Sequence, residues 1–116
     1  VMKYLDFTYL RTNVTDDVSF IKQLLMIFLT SLDADVEVLT EAISNQNHEH
    51  TKSATHKVKS SFRSLGIATI TDSLQTLENH AKASESFDRI QPLFDEFLRQ
   101  LPDIKEEVLA YLEDKS

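Results

Sequence analysis

Residues 54–66 read Ala-Thr-His-Lys-Val-Lys-Ser-Ser-Phe-Arg-Ser-Leu-Gly, and the spacing of their apolar members decides the fold class. Ala54, Val58, Phe62 and Leu65 recur every three or four residues, which lines up one face of an α-helix. Gly66 follows at once, and glycine takes the left-handed conformation that a helix end favours without a Cβ penalty. Read backwards, Asn47 is an N-cap residue, so this segment predicts a helix over His48 to Leu65 with its buried face and its stop.

The same period continues on both sides. A short first helix is expected around Phe7 to Asn13. Thr15 and Asp16 then offer N-cap oxygens ahead of Val18, Ile21, Leu25, Phe28 and Leu29. Phe20, Leu24 and Ile27 widen that stripe, which predicts a helix buried on most sides and ending near Ser31. Leu32, Val36, Leu39 and Ile43 form the face of another, interrupted by the polar stretch Ser44 to Asn47. Beyond Gly66, the stripe Ile67, Ile70, Leu74, Leu77 and Ala81 runs to about Lys82, with Thr69-x-x-Asp72 resembling a capping box. The last stripe is Phe87, Ile90, Phe94, Phe97, Leu101, Ile104, Val108 and Tyr111 or Leu112. It keeps phase through Pro102, where a bend or a break is expected because proline removes a donor and clashes with the preceding turn. The fold class is all-α: an antiparallel four-helix bundle with a short additional N-terminal helix, residues 1–116 making a single domain.

Composition narrows the function. One glycine and two prolines in 116 residues argue against turn-rich β architecture. A single glycine also excludes G-x-G-x-x-G, the P-loop and G-x-S-x-G, and with them the usual nucleotide sites and nucleophile elbow. A net charge of −7 repels phosphate backbones and anionic membrane surfaces, so neither nucleic acid nor direct membrane contact is expected. No cysteine is present, which removes disulfides and thiolate metal sites and accords with a cytoplasmic location. The longest apolar run, Leu24 to Leu29, is far short of the about twenty residues of a membrane span.

The site candidates come from a helical projection. With Ala54 at zero and about 100° per residue, the core direction of the His48–Leu65 helix is about 35°. His56 then falls at about 200°, Arg63 at about 180°, Lys52 at about 160° and Lys59 at about 140°. His56 thus points to solvent, flanked by the small residues Ser53 and Ser60, and the Lys59 side chain is expected to reach water as well. Between Lys52 and Arg63 there are four cations, Lys52, Lys57, Lys59 and Arg63, and no acid, a local excess on an acidic protein. On face geometry alone, an exposed histidine among solvated charges is usually without function.

The local pattern changes that balance. His56-Lys57-Val58-Lys59-Ser60-Ser61-Phe62-Arg63-Ser64-Leu65-Gly66 resembles the signature of histidine-containing phosphotransfer (HPt) domains, His-x-Leu-Lys-Gly-Ser-x-x-x-Leu-Gly. The likeness continues through Ile70, Leu74 and Leu77-Glu78, and loosely back over Phe20 to Leu29. Ser60 stands where the family usually has Gly, and Thr55 where it often has Ala. The resemblance implies that His56 is the phospho-acceptor, Lys59 steadies the phosphoryl oxygens and Ser60 lets a partner approach. Docking is expected through Lys52, Ser53, Lys57, Ser60 and Arg63 on the basic face, with Gly66 structural at the helix end. The resemblance further implies a monomeric phosphorelay intermediate of two-component signalling without kinase activity of its own. Its partners would be receiver domains of response regulators or of a hybrid sensor histidine kinase. The chain itself would hold no cofactor, the magnesium ion sitting on the receiver. Elementary chemistry agrees: an imidazole in water, with an ordinary pKa of about 6.5, is roughly three-quarters neutral at pH 7 and can attack phosphorus without a base.

Other readings are weaker. His48 and His50, with Glu49 between them, are about 200° apart on a helix and do not share a metal readily, so no metal site is assigned. His80 is read as a boundary residue, and Phe87, Phe94 and Phe97 as core. The alternative function is an adaptor bundle that docks receiver-like partners through the same basic face without being phosphorylated.

Overall fold

The computed structural model describes residues 3–114, in which five helices follow one another: α1 (Phe7–Asn13), α2 (Val18–Ser44), α3 (His48–Ser64), α4 (Ala68–Lys82) and α5 (Phe87–Asp114). Helices α2 to α5 make the four-helix bundle, and α1 lies across one end. Adjacent helices run antiparallel. Lys57 of α3 meets Asp35 of α2 while Phe62, further along α3, meets Phe28, further back along α2.

The largest correction to the sequence reading lies in α2. No break occurs near Ser31; a single helix of 27 residues runs from Val18 to Ser44. Ile21, Leu25, Phe28, Leu32, Val36, Leu39 and Ile43 form one continuous buried seam, so the period does not change phase where two helices were expected. Thr30 and Ser31, polar enough to suggest a break, donate their hydroxyls to the carbonyls of Met26 and Ile27 one turn back and stay inside the helix. Nor is α2 buried on most sides. Ile27 is largely exposed, Phe20 is 45% exposed and Leu24 is half-buried.

Two helix starts also differ from expectation. Asp17, not Thr15 or Asp16, caps α2 by accepting from the N–H groups of Ser19 and Phe20, and Thr15 instead accepts from the Asp17 N–H. Helix α4 begins at Ala68, which puts Thr69 inside it, so the Thr69-x-x-Asp72 pattern is no capping box and α4 has no side-chain cap. Asn47 caps α3 through the His50 N–H.

Three helices end in the same reversal with one glycine between them. At Gly66 (φ +71°) the Gly66 N–H bonds to the Arg63 carbonyl and the Ile67 N–H to that of Phe62. Gln46 (φ 52°) and Ser84 (φ 55°) hold the equivalent left-handed position after α2 and α4, despite the Cβ penalty. Only at position 66 is space also refused: a Cβ there would lie 2.3 Å from the Tyr9 ring of α1. Phe7 of α1 stacks on Tyr111 of α5 at 4.4 Å. The preceding strap is held by the Glu107 carboxylate, which accepts from the N–H groups of Lys3, Tyr4 and Leu5.

Helix α5 runs unbroken through both Pro92 and Pro102. Both prolines, and the Asp88 and Leu98 residues whose carbonyls lose a partner, lie on the exposed face, where solvent can take the place of the missing donor. The core is one cluster, with Phe62 edge-on to Phe28 at 5.1 Å and to Phe97 at 5.7 Å. Full burial of such a ring contributes about 2–3 kcal/mol.

Candidate functional site

Helix α3 is packed on three sides and open on a fourth. Ala54, Val58 and Phe62 enter the core; Lys57, Ser61 and Ser64 flank α2; Thr51, Thr55 and Lys59 are buried, Lys59 against α4. His56 lies on the open side, its side chain 56% exposed. This arrangement overturns the expectation that Lys59 points to solvent: its side chain is only 5% exposed. The helical projection put Lys59 about 105° from the core centre, a flank that is wet on an isolated helix and dry once a second helix packs there.

What Lys59 meets is a polar cluster supplied by α4. Its ammonium donates to Gln75 Oε1 at 2.7 Å and lies 2.9 Å from Glu78 Oε1. The second carboxylate oxygen, Glu78 Oε2, accepts from His56 Nδ1 at 3.3 Å. An ionised carboxylate can only accept, so this contact needs a proton on Nδ1, and in the neutral ring the lone pair is then on Nε2. Burial alone would raise the Glu78 pKa, but the Lys59 ammonium, aided by the His56 ring, holds the carboxyl below its ordinary value of 4.5. The site is therefore an exposed ring held at Nδ1 by a carboxylate that a buried ammonium backs.

The remaining cations do not form a free patch. Lys52 pairs with Glu49 at 3.2 Å and Lys57 with Asp35 at 3.1 Å. With Lys59 held by Glu78, Arg63 is the member of the set with no ion pair among the described residues. The count over residues 52–63 missed acids one turn before the window, on α2 and on α4. Ser53 and Ser60 donate their hydroxyls to the carbonyls of Glu49 and His56, which folds them against the helix beside the open ring.

Sequence reasoning passes over two members of this cluster. Glu78 reads as the end of an apolar ladder and not as a partner of His56; Gln75 carries no signal. A projection of α4 puts Gln75, Glu78 and Asn79 on one polar face, three and four residues apart, but does not join that face to His56. Beside the site, Leu24, Ile27, Phe28 and Ser31 of α2 line a shallow groove of about 110 Å³ with Ser61, Ser64 and Leu65.

The other histidines are placed elsewhere. His48 donates its Nε2–H to the Glu85 carbonyl at 2.6 Å and packs on Phe87. His80, read as a boundary residue without a role, is tied through Nδ1 to the Glu85 carboxylate. Among the described residues no group of three or more His, Asp or Glu side chains is arranged to hold a metal, and no helix is long and apolar enough to cross a membrane. A family model described as Hpt domain matches residues 23–113. No curated protein and no solved structure matches the chain.

Proposed function

Because the chain belongs to the Hpt domain family, whose members carry phosphoryl groups in two-component signalling, we propose that His56 accepts a phosphoryl group from a receiver-domain aspartate and passes it to another receiver. The observation that carries this reading is the orientation of the ring, with Nδ1–H on Glu78 and Nε2 open to solvent. In the transfer, the Nε2 lone pair forms a bond to phosphorus as the bond from phosphorus to the aspartyl oxygen breaks, and the electron pair leaves with the carboxylate. No proton moves. The positive charge that develops on the imidazole is met by Glu78 through Nδ1–H, and the reverse transfer follows the same path.

Lys59 takes part as a fixed cation. It neutralises Glu78, so the incoming phosphoryl oxygens do not face a net negative site, and a buried ammonium needs no reorganisation to do so. The magnesium ion belongs to the receiver's acidic pocket. Docking uses Lys52, Ser53, Lys57, Ser60 and Arg63 around the ring, Arg63 contributing the unpaired charge and Ser60 the clearance. The exposed side chains of Phe20 and Ile27 extend this surface along α2.

Incubation with phosphorylated receiver domains and magnesium tests the proposal. Label that is acid-labile and base-stable is expected on the wild type and absent from His56→Gln. Ser60→Phe is expected to lower receiver affinity by bulk while the helix stays formed. Docking without label across a broad receiver panel would sink the relay and leave the adaptor reading standing.

A further inference from the structure

The site holds one polar contact that the transfer chemistry does not require. Lys59 is buried, and its ammonium stands 2.9 Å from Glu78 Oε1 as an ion pair. That ammonium also donates to Gln75 Oε1 at 2.7 Å. The orientation of the Gln75 amide is set twice. Its oxygen must face the ammonium, since the flipped amide would aim N–H groups at a cation, and its Nε2 donates to Asn79 Oδ1 at 2.9 Å. Asn79 is exposed, so the chain of contacts runs from the surface of α4 through Gln75, Lys59 and Glu78 to His56 Nδ1.

We propose that Gln75, oriented by Asn79, is a positioning residue for His56: it pins the Lys59 ammonium beside Glu78 Oε1, so that Oε2 stays aimed at Nδ1 and the ring is held as the Nδ1–H tautomer with Nε2 free. The consequence for phosphotransfer rests on the function proposed above, but the tautomer does not. Without Gln75 the ammonium loses one of its two acceptors and turns further toward the carboxylate, competing with His56 for its lone pairs. The ring then loses its anchor and samples the tautomer in which Nε2 carries the proton and cannot attack phosphorus.

Long-range ¹H–¹⁵N correlation spectra of the His56 ring in the intact chain test this directly, with phosphotransfer rate and receiver affinity measured on the same proteins. Gln75→Leu, which keeps the side-chain size and removes the acceptor, is expected to move the ring nitrogens toward the Nε2–H form. It should also slow transfer about tenfold, with receiver affinity within about twofold of wild type. Asn79→Ala, at an exposed position where folding is not at risk, is expected to reproduce part of the change. Asn79→Asp, which keeps the acceptor oxygen, is expected to restore it. An unmoved tautomer in Gln75→Leu overturns the inference, as does equal behaviour of Asn79→Ala and Asn79→Asp. A wild type that takes no label while Gln75→Leu still shifts the tautomer would sink the relay reading and keep this one. A labelled wild type with an unmoved tautomer would do the reverse.

Discussion

Two places in this molecule use the same pair of groups for different ends. In both, a histidine Nδ1 meets a glutamate Oε2: His56 with Glu78 across α3 and α4, and His80 with Glu85 across the turn that joins α4 to α5. In the first the ring is open and its carboxylate is sheltered, with side chains 56% and 16% exposed and a buried lysine behind. In the second both side chains are about a quarter to a third exposed, and the brace is Arg89, out in solvent. Glu85 is further tied by its N–H to the His80 carbonyl and by its own carbonyl to His48. The second pair thus closes a loop around the strained Ser84, whereas the first fixes a ring while leaving one nitrogen free. What separates the two pairs is which partner is buried and what braces it.

The most severe way to break the comparison is to remove the rings. His56→Gln is expected to abolish phosphoryl label altogether, and His80→Gln to leave transfer within about twofold of wild type. Equal losses in a transfer assay would erase the distinction.

Removing the carboxylates gives the next largest effect. Glu78→Gln leaves the Lys59 ammonium buried without a counter-charge, a change that costs about 3 kcal/mol, and should slow transfer at least tenfold through loss of the ring anchor. Glu85→Gln, at a solvent-exposed turn, should barely move the melting temperature. Thermal melts of the two variants side by side decide this.

Acid separates the pairs less sharply. Burial opposes ionisation of Glu78, yet Lys59 and His56 depress its pKa below 4.5, so its stabilising contribution is complete above that pH and is lost as the pH falls through the depressed folded value. Glu85 is lowered in the same sense, first by its hydrogen bond from His80. Melting curves between pH 6 and pH 2.5 should therefore fall less steeply for Glu78→Gln than for wild type; a parallel fall would detach Glu78 from the acid response.

The smallest expected effect concerns the loop closed by the second pair. Ser84→Gly relieves a left-handed conformation and should raise stability by up to about 1 kcal/mol, with transfer unchanged. Any fall in transfer would couple that loop to the site.

These regions are unequally legible. His56 can be read as exposed from α3 alone, because a residue opposite the core direction of its own helix faces solvent whatever the neighbours do. Lys59 cannot, because it lies on a flank, and a flank is wet or dry according to whether another helix packs there. Glu78 and Gln75 belong to the next helix, too far from His56 along the chain for any local pattern to join them. The polar run around Thr30 and Ser31 reads as a helix end because those side chains can cap or break a helix, and their return bonds to the previous turn become visible only in three dimensions.

By itself, then, the sequence determined the helical fold class, the cap at Asn47, the reversal at Gly66 and the open face of His56, since each follows from the 3.6-residue period and from backbone sterics acting within a few residues. Only the tertiary structure decided that α2 is one helix, that most of the cations of α3 are neutralised by acids outside their window, and that a carboxylate and a buried ammonium stand beneath the histidine. Those outcomes depend on the register at which α3 and α4 pack, and register is set by the fit of whole faces, a long-range property that no single segment carries.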